Sequence, residues 1–218
     1  MEKLSFYEQV GIVIPGSALL FGLLLLLPEL RSLFATGDVS VGGLGLFILI
    51  AYAAGHLLAA VGNLIEWIVW KVRGGMPSDW VTHDNPKIVN SQQIVQIEDR
   101  VRRRLGLQIE AIKGMPRKQW APIFGQIYRD VLAHNPGRVE TFNGNYGLNR
   151  GLAAAALALL SVELIIHPCE WRVSLGLGAV ILVYGYRMHR HGVHFAKEAY
   201  HRFLSLPAEP PRAPERAK

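Results

Sequence analysis

The sequence has very little cysteine and little charge. Cys169 is the one cysteine in 218 residues, which excludes an internal disulfide framework and a zinc site built from cysteines. Charged residues make up 18% of the chain, whereas soluble domains carry about 25%. Half of the residues are hydrophobic and the mean hydropathy is +0.22. This composition disfavours an ordinary soluble enzyme and excludes disorder throughout the chain.

The sequence also lacks the familiar signatures of catalytic and nucleotide-binding sites. It has no Gly-rich phosphate loop of the Walker or dinucleotide type, no Gly-x-Ser-x-Gly and no His-Glu-x-x-His. We therefore predict no cofactor and no metal, and nothing in the sequence requires an enzyme.

Long apolar segments are what the sequence does contain. An uncharged run of about 18 residues is long enough for a membrane-spanning helix. We therefore predict an all-α integral membrane protein with four transmembrane helices and a small helical cytoplasmic domain between spans two and three. The predicted spans are about 10–28, 41–66, 148–166 and 173–188. The predicted domains are a transmembrane hairpin (1–70), a cytoplasmic helical domain (71–137), a long helical hairpin (138–205) and a disordered Pro-rich tail (206–218).

The basic residues predict the orientation of these spans. Of the 23 Lys and Arg residues, thirteen lie in 71–150 and seven lie from Arg187 onward. By the positive-inside rule these two segments and both termini face the cytoplasm. Topology then accounts for most of the net charge of +6, so a nucleic-acid partner is not indicated. The lipid bilayer is the predicted partner.

Helix signals divide the predicted cytoplasmic domain. Asn90 or Ser91 is suited to cap a helix that carries an apolar stripe and ends at Gly106. A second helix is predicted over Trp120–His134, followed by a break at 135–137. The final helix of the chain is predicted to continue to about Leu204.

Small residues recur at helical spacing along the third and fourth apolar segments. Such residues let membrane helices approach closely, and they predict a tight antiparallel hairpin of the last two helices. The alternative is that they serve contacts between subunits of a homo-oligomer. The residues concerned are Gly144, Gly147, Gly151, Ala155, Gly178, Gly185 and Gly192.

Four polar residues fall within the predicted spans: His56, Asn63, Glu66 and Glu163. Polar groups at membrane depth are costly and indicate a proton or ion path. The alternative is a neutral His56 bonded to another helix and a Glu66 paired with Lys71 or Arg73.

The densest basic stretch is a candidate site for a phosphate, an anionic lipid headgroup or RNA. It comprises Arg100, Arg102, Arg103, Arg104, Lys113, Arg117 and Lys118.

The last helix offers one enzymatic alternative. Arg187 and His194 satisfy the loose Arg-x(4–6)-His pattern and in this resemble the HEPN ribonucleases, in which an Arg–His pair at a dimer interface cleaves RNA. The alternative is a cationic juxtamembrane helix that faces anionic headgroups.

Several short motifs together resemble a loose group of small bacterial multi-pass inner-membrane proteins, some of which occur in anti-phage defence systems. The motifs are Phe6-Tyr7, Pro15-Gly16, Ala51-Tyr52, Gly55-His56-Leu57-Leu58 and the segment 138–151. The resemblance implies an oligomeric membrane effector whose cytoplasmic part receives a signal, and it assigns no catalytic residue.

We therefore predict a homo-oligomeric, non-enzymatic, membrane-perturbing or channel-like effector, controlled by its cytoplasmic domain through a protein or nucleotide-type signal. The alternatives are a membrane-anchored ribonuclease using Arg187 and His194, and a membrane scaffold that recruits a protein partner.

Overall fold

A computed structural model describes residues 9–30 and 41–208. Within these ranges the secondary structure is helical, with no strand, so the predicted all-α class is confirmed. The elements are a π-helical turn (Gln9–Val13), α1 (Ile14–Leu26), α2 (Val41–Val72), a 3₁₀ turn (Pro77–Thr82), α3 (Ser91–Leu105), α4 (Arg117–His134), α5 (Val139–Ile166) and α6 (Trp171–Ser205). Most of the predicted tail, 206–218, lies outside the described residues.

Two of the described helices, α2 and α5, are long and apolar enough to cross a membrane. The helix over Val10–Leu26 is apolar but shorter. The apolar part of α6 ends at Arg187, although the helix itself continues to Ser205. The structure thus supports two candidate spans, and the four-span topology goes beyond it.

Local sequence explains where the helices begin and end. Pro15 stands in the first turn of α1, where a residue without an N–H is tolerated. The Asn90 side chain accepts a hydrogen bond from the Gln93 N–H and the Gln93 side chain accepts one from the Asn90 N–H, a capping box that starts α3. Gly106 ends α3 with φ of 67°, a left-handed conformation that favours glycine. The predicted cap and stop of this helix are confirmed.

The described residues form two compact units. The first unit combines the residues up to Gly74 with Glu140–Gly192, and its core includes Leu58 of α2 packed with Ala154 and Ala155 of α5. The second unit combines Gly75–Val139 with the residues from Val193 onward. Its largest buried side chains include Trp120 of α4 and the C-terminal pair Tyr200 and Phe203.

Close helix packing occurs at two glycines that are not among the small residues predicted to pack α5 against α6. A Cβ added at Gly16 would overlap the Ala51 carbonyl oxygen, and one added at Gly55 would overlap the Ile12 carbonyl oxygen. The N-terminal helical segment and α2 therefore touch backbone to backbone, an approach that only glycine permits.

The small residues predicted to pack α5 against α6 make different contacts in the two helices. A Cβ at Gly151 would meet Pro15, and Ala155 packs with Leu58, so these α5 residues face the first two helices. Gly192 lies against the rings of Trp70 and Tyr146. Gly178 and Gly185 have open space where a side chain would stand. Among these residues, Gly151 and Ala155 thus contact α1 and α2, and Gly192 contacts Tyr146 of α5. The tight hairpin of the last two helices stays a prediction.

Candidate functional site

The most polar part of the first unit is an ion pair between Glu66 of α2 and Arg150 of α5. Only 13% of the Arg150 side chain and 21% of the Glu66 side chain are exposed. Gly62, one turn before Glu66, leaves space for the Arg150 side chain, because a Cβ at Gly62 would lie 3.0 Å from Arg150 Cγ. The sequence-based alternative, in which Glu66 pairs with Lys71 or Arg73, is wrong. The Lys71 ammonium lies over the ring of Trp67 instead, 4.7 Å from its centroid.

Further polar side chains surround this pair. Trp70 Nε1 donates a hydrogen bond of 2.8 Å to the Tyr146 hydroxyl, and both side chains are buried. The guanidinium of Arg150 lies 5.9 Å from the centroid of the Tyr146 ring. Arg187 Nε donates to Asn149 Oδ1 at 3.1 Å. We call Glu66, Trp70, Tyr146, Asn149, Arg150 and Arg187 the polar cluster.

In the polar cluster, the charged side chains of the two apolar helices α2 and α5 find their partners within the same unit. Removing a charge from water costs several kcal/mol unless an opposite charge and hydrogen bonds replace the water. Sequence reasoning named Glu66 but missed Arg150, Tyr146 and Trp70. The available signal was an arginine immediately before the small-residue run that begins at Gly151.

The other polar residues of α2 lie on its exposed face. His56 and Asn63 are both exposed in the chain, and so are Ala53 and Ala60 between them. The spacing 53, 56, 60, 63 places all four on one side of the helix. The His56 ring meets the ring of Tyr52 edge to face, with centroids 4.6 Å apart. We call Ala53, His56, Ala60 and Asn63 the α2 face.

Glu163 is buried near the end of α5, with 2% of its side chain exposed. His167 Nδ1 lies 3.0 Å from Glu163 Oε2, one helical turn along the chain. This pairing is local, and it places the buried carboxyl beside the turn that joins α5 to α6.

The predicted anion site in the second unit has its cations directed at protein groups. Arg104, with 1% of its side chain exposed, pairs with Asp130 and also donates to the Pro207 carbonyl at 3.2 Å. Arg102 donates to the carbonyls of Ile109 and Glu110. The remaining contacts are Arg100 with the Phe203 carbonyl, Arg103 with Asp99, Lys113 with Asp84 and Arg117 with Asp79, while Lys118 is exposed. Apart from Arg103, which pairs within α3, and the exposed Lys118, these residues brace helix ends and loops.

Two buried groups of the second unit have shifted pKa values. Burial raises the pKa of Asp79, and the nearby Arg117 charge opposes that shift. Burial also raises the pKa of Tyr200 well above its ordinary value. The Tyr200 hydroxyl donates to the Ser78 carbonyl at 2.5 Å and accepts from Trp120 Nε1 at 3.2 Å. Both groups serve the packing of this unit.

An open pocket of about 440 Å³ lies in the second unit along the segment between α3 and α4. Gln108, Glu110, Lys113 and Gln119 contribute polar groups to its walls, and Met115 and Ile123 contribute apolar surface. The pocket thus offers both signs of charge beside an apolar patch.

No group of three or more His, Cys, Asp or Glu side chains that could hold a metal occurs in 9–30 or 41–208. Comparison with known protein families, curated proteins and solved structures gave no match to this chain.

Proposed function

We propose that the chain is a four-span protein of the bacterial inner membrane, with both termini in the cytoplasm. It assembles as a homo-oligomer and acts as a non-enzymatic, channel-like effector that its second unit controls. The motif resemblance described above extends this proposal to anti-phage defence.

The α2 face carries the proposal. In α2, a helix apolar enough to cross a membrane, His56 and Asn63 point away from the unit's own core. Facing lipid, an imidazole and a carboxamide would lack hydrogen-bond partners, which is costly in hydrocarbon. Contact with a second copy, or with water in a path enclosed by several copies, removes that cost. Ala53 and Ala60 keep the same face narrow enough for close approach.

The polar cluster supports a separation of roles within the unit. Glu66 and Arg150 compensate each other inside one chain, so they hold helices together and need no second copy. Among the residues of the unit that the structure describes, His56 and Asn63 have no such arrangement. The conducting path is therefore assigned to the α2 face and not to the buried ion pair.

The second unit is the proposed control element. Its pocket combines Glu110 and Lys113 with an apolar wall, a surface that suits a peptide or a nucleotide-type signal. We place the ribonuclease alternative second, since Arg187 Nε donates to Asn149 Oδ1 within the chain.

Ion flux tests the proposal directly. The full-length protein is reconstituted into vesicles loaded with an ion-sensitive dye, and its oligomeric state is measured in mild detergent. We expect flux above that of protein-free vesicles and a species larger than the monomer. His56→Leu and Asn63→Leu should lower the flux strongly, because both remove polar groups from the α2 face.

Ser161→Ala is the matched control. Ser161 is also an exposed polar residue of an apolar helix, but its hydroxyl already bonds the Leu157 carbonyl at 2.9 Å. It should leave the flux unchanged. An oligomer without flux would instead indicate the scaffold, and a monomer without flux would overturn the proposal.

A further inference from the structure

An apolar groove of about 450 Å³ runs along the first unit between the C-terminal part of α2 and the middle of α6. Its walls include Ile68 and Val72 from α2 and Ile181 and Leu182 from α6. Val72 is 81% exposed and Leu182 is 75% exposed, so the groove opens away from the core. A continuous apolar groove on a helix surface is suited to bind a flexible hydrocarbon chain.

Glycine makes the groove deep. Gly185 lies in its wall, and a Cβ built there would meet nothing within 4 Å. The missing side chain therefore leaves volume in the groove itself and does not serve a helix contact within the chain. Gly178 lies two turns earlier on α6, also faces open space, and does not line the groove.

One end of the groove is cationic. Arg73 and His189 both line it, each at the later end of its run of lining residues. Burial and the Arg73 charge lower the pKa of the His189 ring, so Arg73 carries the positive charge of this end. The His189 ring also lies 5.2 Å from the ring of Trp70, so this end of the groove lies beside the C-terminal end of α2. Arg73 is exposed and takes part in no ion pair among the residues that the structure describes. The nearby Glu66 is already paired with Arg150.

We propose that this groove binds an acidic phospholipid, with an acyl chain along its apolar walls and the phosphate at Arg73 and His189. Apolar walls that end in a cation match a molecule with a hydrocarbon chain and an anionic head, and basic pockets between membrane helices on the cytoplasmic side bind such headgroups. The inference depends on the proposed insertion of α2 into a bilayer, since the bilayer supplies the ligand. It is independent of whether the protein conducts ions.

Native mass spectrometry of the full-length protein in non-ionic detergent measures this binding. The protein is titrated with phosphatidylglycerol and, separately, with phosphatidylcholine of the same acyl chains. We expect tighter binding of phosphatidylglycerol. Arg73→Gln should weaken that binding about fivefold, the effect of one cation near an anionic headgroup, and should leave phosphatidylcholine unchanged. Lys71→Gln is the matched control, because Lys71 lies at the same helix end but outside the groove.

A second pair of variants tests the apolar part. Gly185→Leu fills the groove and should abolish the binding of both lipids there, whereas Gly178→Leu should leave it intact. Gly185→Ala, a smaller change, should give a partial loss if the leucine variant does not fold.

Equal affinity for the two lipids, or equal effects of Arg73→Gln and Lys71→Gln, would overturn the lipid site and leave the proposed function untouched. Recovery of the protein outside the membrane fraction would overturn the proposed function itself. The two failures are therefore distinguishable.

Discussion

The two units of the molecule handle charge in different ways. In the first unit the chief charge contact is an ion pair between two apolar helices, Glu66 with Arg150. In the second unit the arginines mostly reach backbone carbonyls, as Arg102 does with Ile109 and Glu110. Charge therefore meets opposite charge between two helices in the first unit, whereas in the second it largely fastens loops and helix ends, including the end of α6.

The largest effect should come from breaking the pair in the first unit. Glu66→Leu leaves the Arg150 guanidinium largely buried without its carboxylate, and we expect a loss of about 3–5 kcal/mol of stability. Thermal unfolding in detergent measures it. The double variant Glu66→Leu/Arg150→Leu should recover most of the loss, because it leaves no lone charge. A single variant as stable as the wild type would contradict the role of the pair.

Gly16→Ala tests whether the first unit depends on backbone contact as much as on charge. The added methyl would overlap the Ala51 carbonyl, so the N-terminal segment must move away from α2. We expect a loss of about 1–3 kcal/mol, the usual cost of overpacking. Gly45→Ala is the matched control, since a Cβ at Gly45 meets nothing within 4 Å. Equal melting temperatures of the two variants would refute the close contact.

The pH dependence of the second unit should depend on Asp79. Because burial raises the pKa of this carboxyl, protonation favours the folded state. Its contribution to stability is complete below the ordinary pKa of 3.8 and is lost as the pH rises through the raised value. Asp79→Asn should remove this dependence, which chemical unfolding at a series of pH values in wild type and variant would show. Parallel curves for the two proteins would contradict it.

The smallest effect should come from an exposed pair in the second unit. Arg103 and Asp99 are 62% and 46% exposed and lie one helical turn apart. Arg103→Ala should change stability by no more than about 0.5 kcal/mol. Arg104→Ala, one residue away and buried, should cost several times as much. Similar losses of stability in the two variants would contradict the expectation that the buried Arg104 contributes more than the exposed Arg103.

Local features of the fold were predictable from sequence. The capping residue Asn90 and the glycine Gly106 defined α3, because each depends on a few adjacent residues. The gap between the predicted segments 148–166 and 173–188 matches the turn between α5 and α6. The start of α4 was predicted three residues late, since Arg117 follows Pro116, a residue that readily precedes a helix.

Partners distant in the sequence were not predictable. Glu66 and Arg150 are 84 positions apart, and Arg104 and Asp130 are 26 apart. Their pairing depends on how whole helices pack, which no local pattern specifies. The small residues of α5 correctly predicted close helix packing. They did not predict which helix they contact, because several helices of similar composition could pack against them.

The arginines of α3 have a consequence for the end of α6. Arg100 and Arg104 donate to the carbonyls of Phe203, in the last turn of the helix, and Pro207, just after it. Helix ends usually fray first, but this one is tied to a neighbouring helix by two guanidinium groups. Hydrogen exchange at the last turn of α6 should therefore report on the second unit as a whole, and a truncation before Phe203 would remove both acceptors at once.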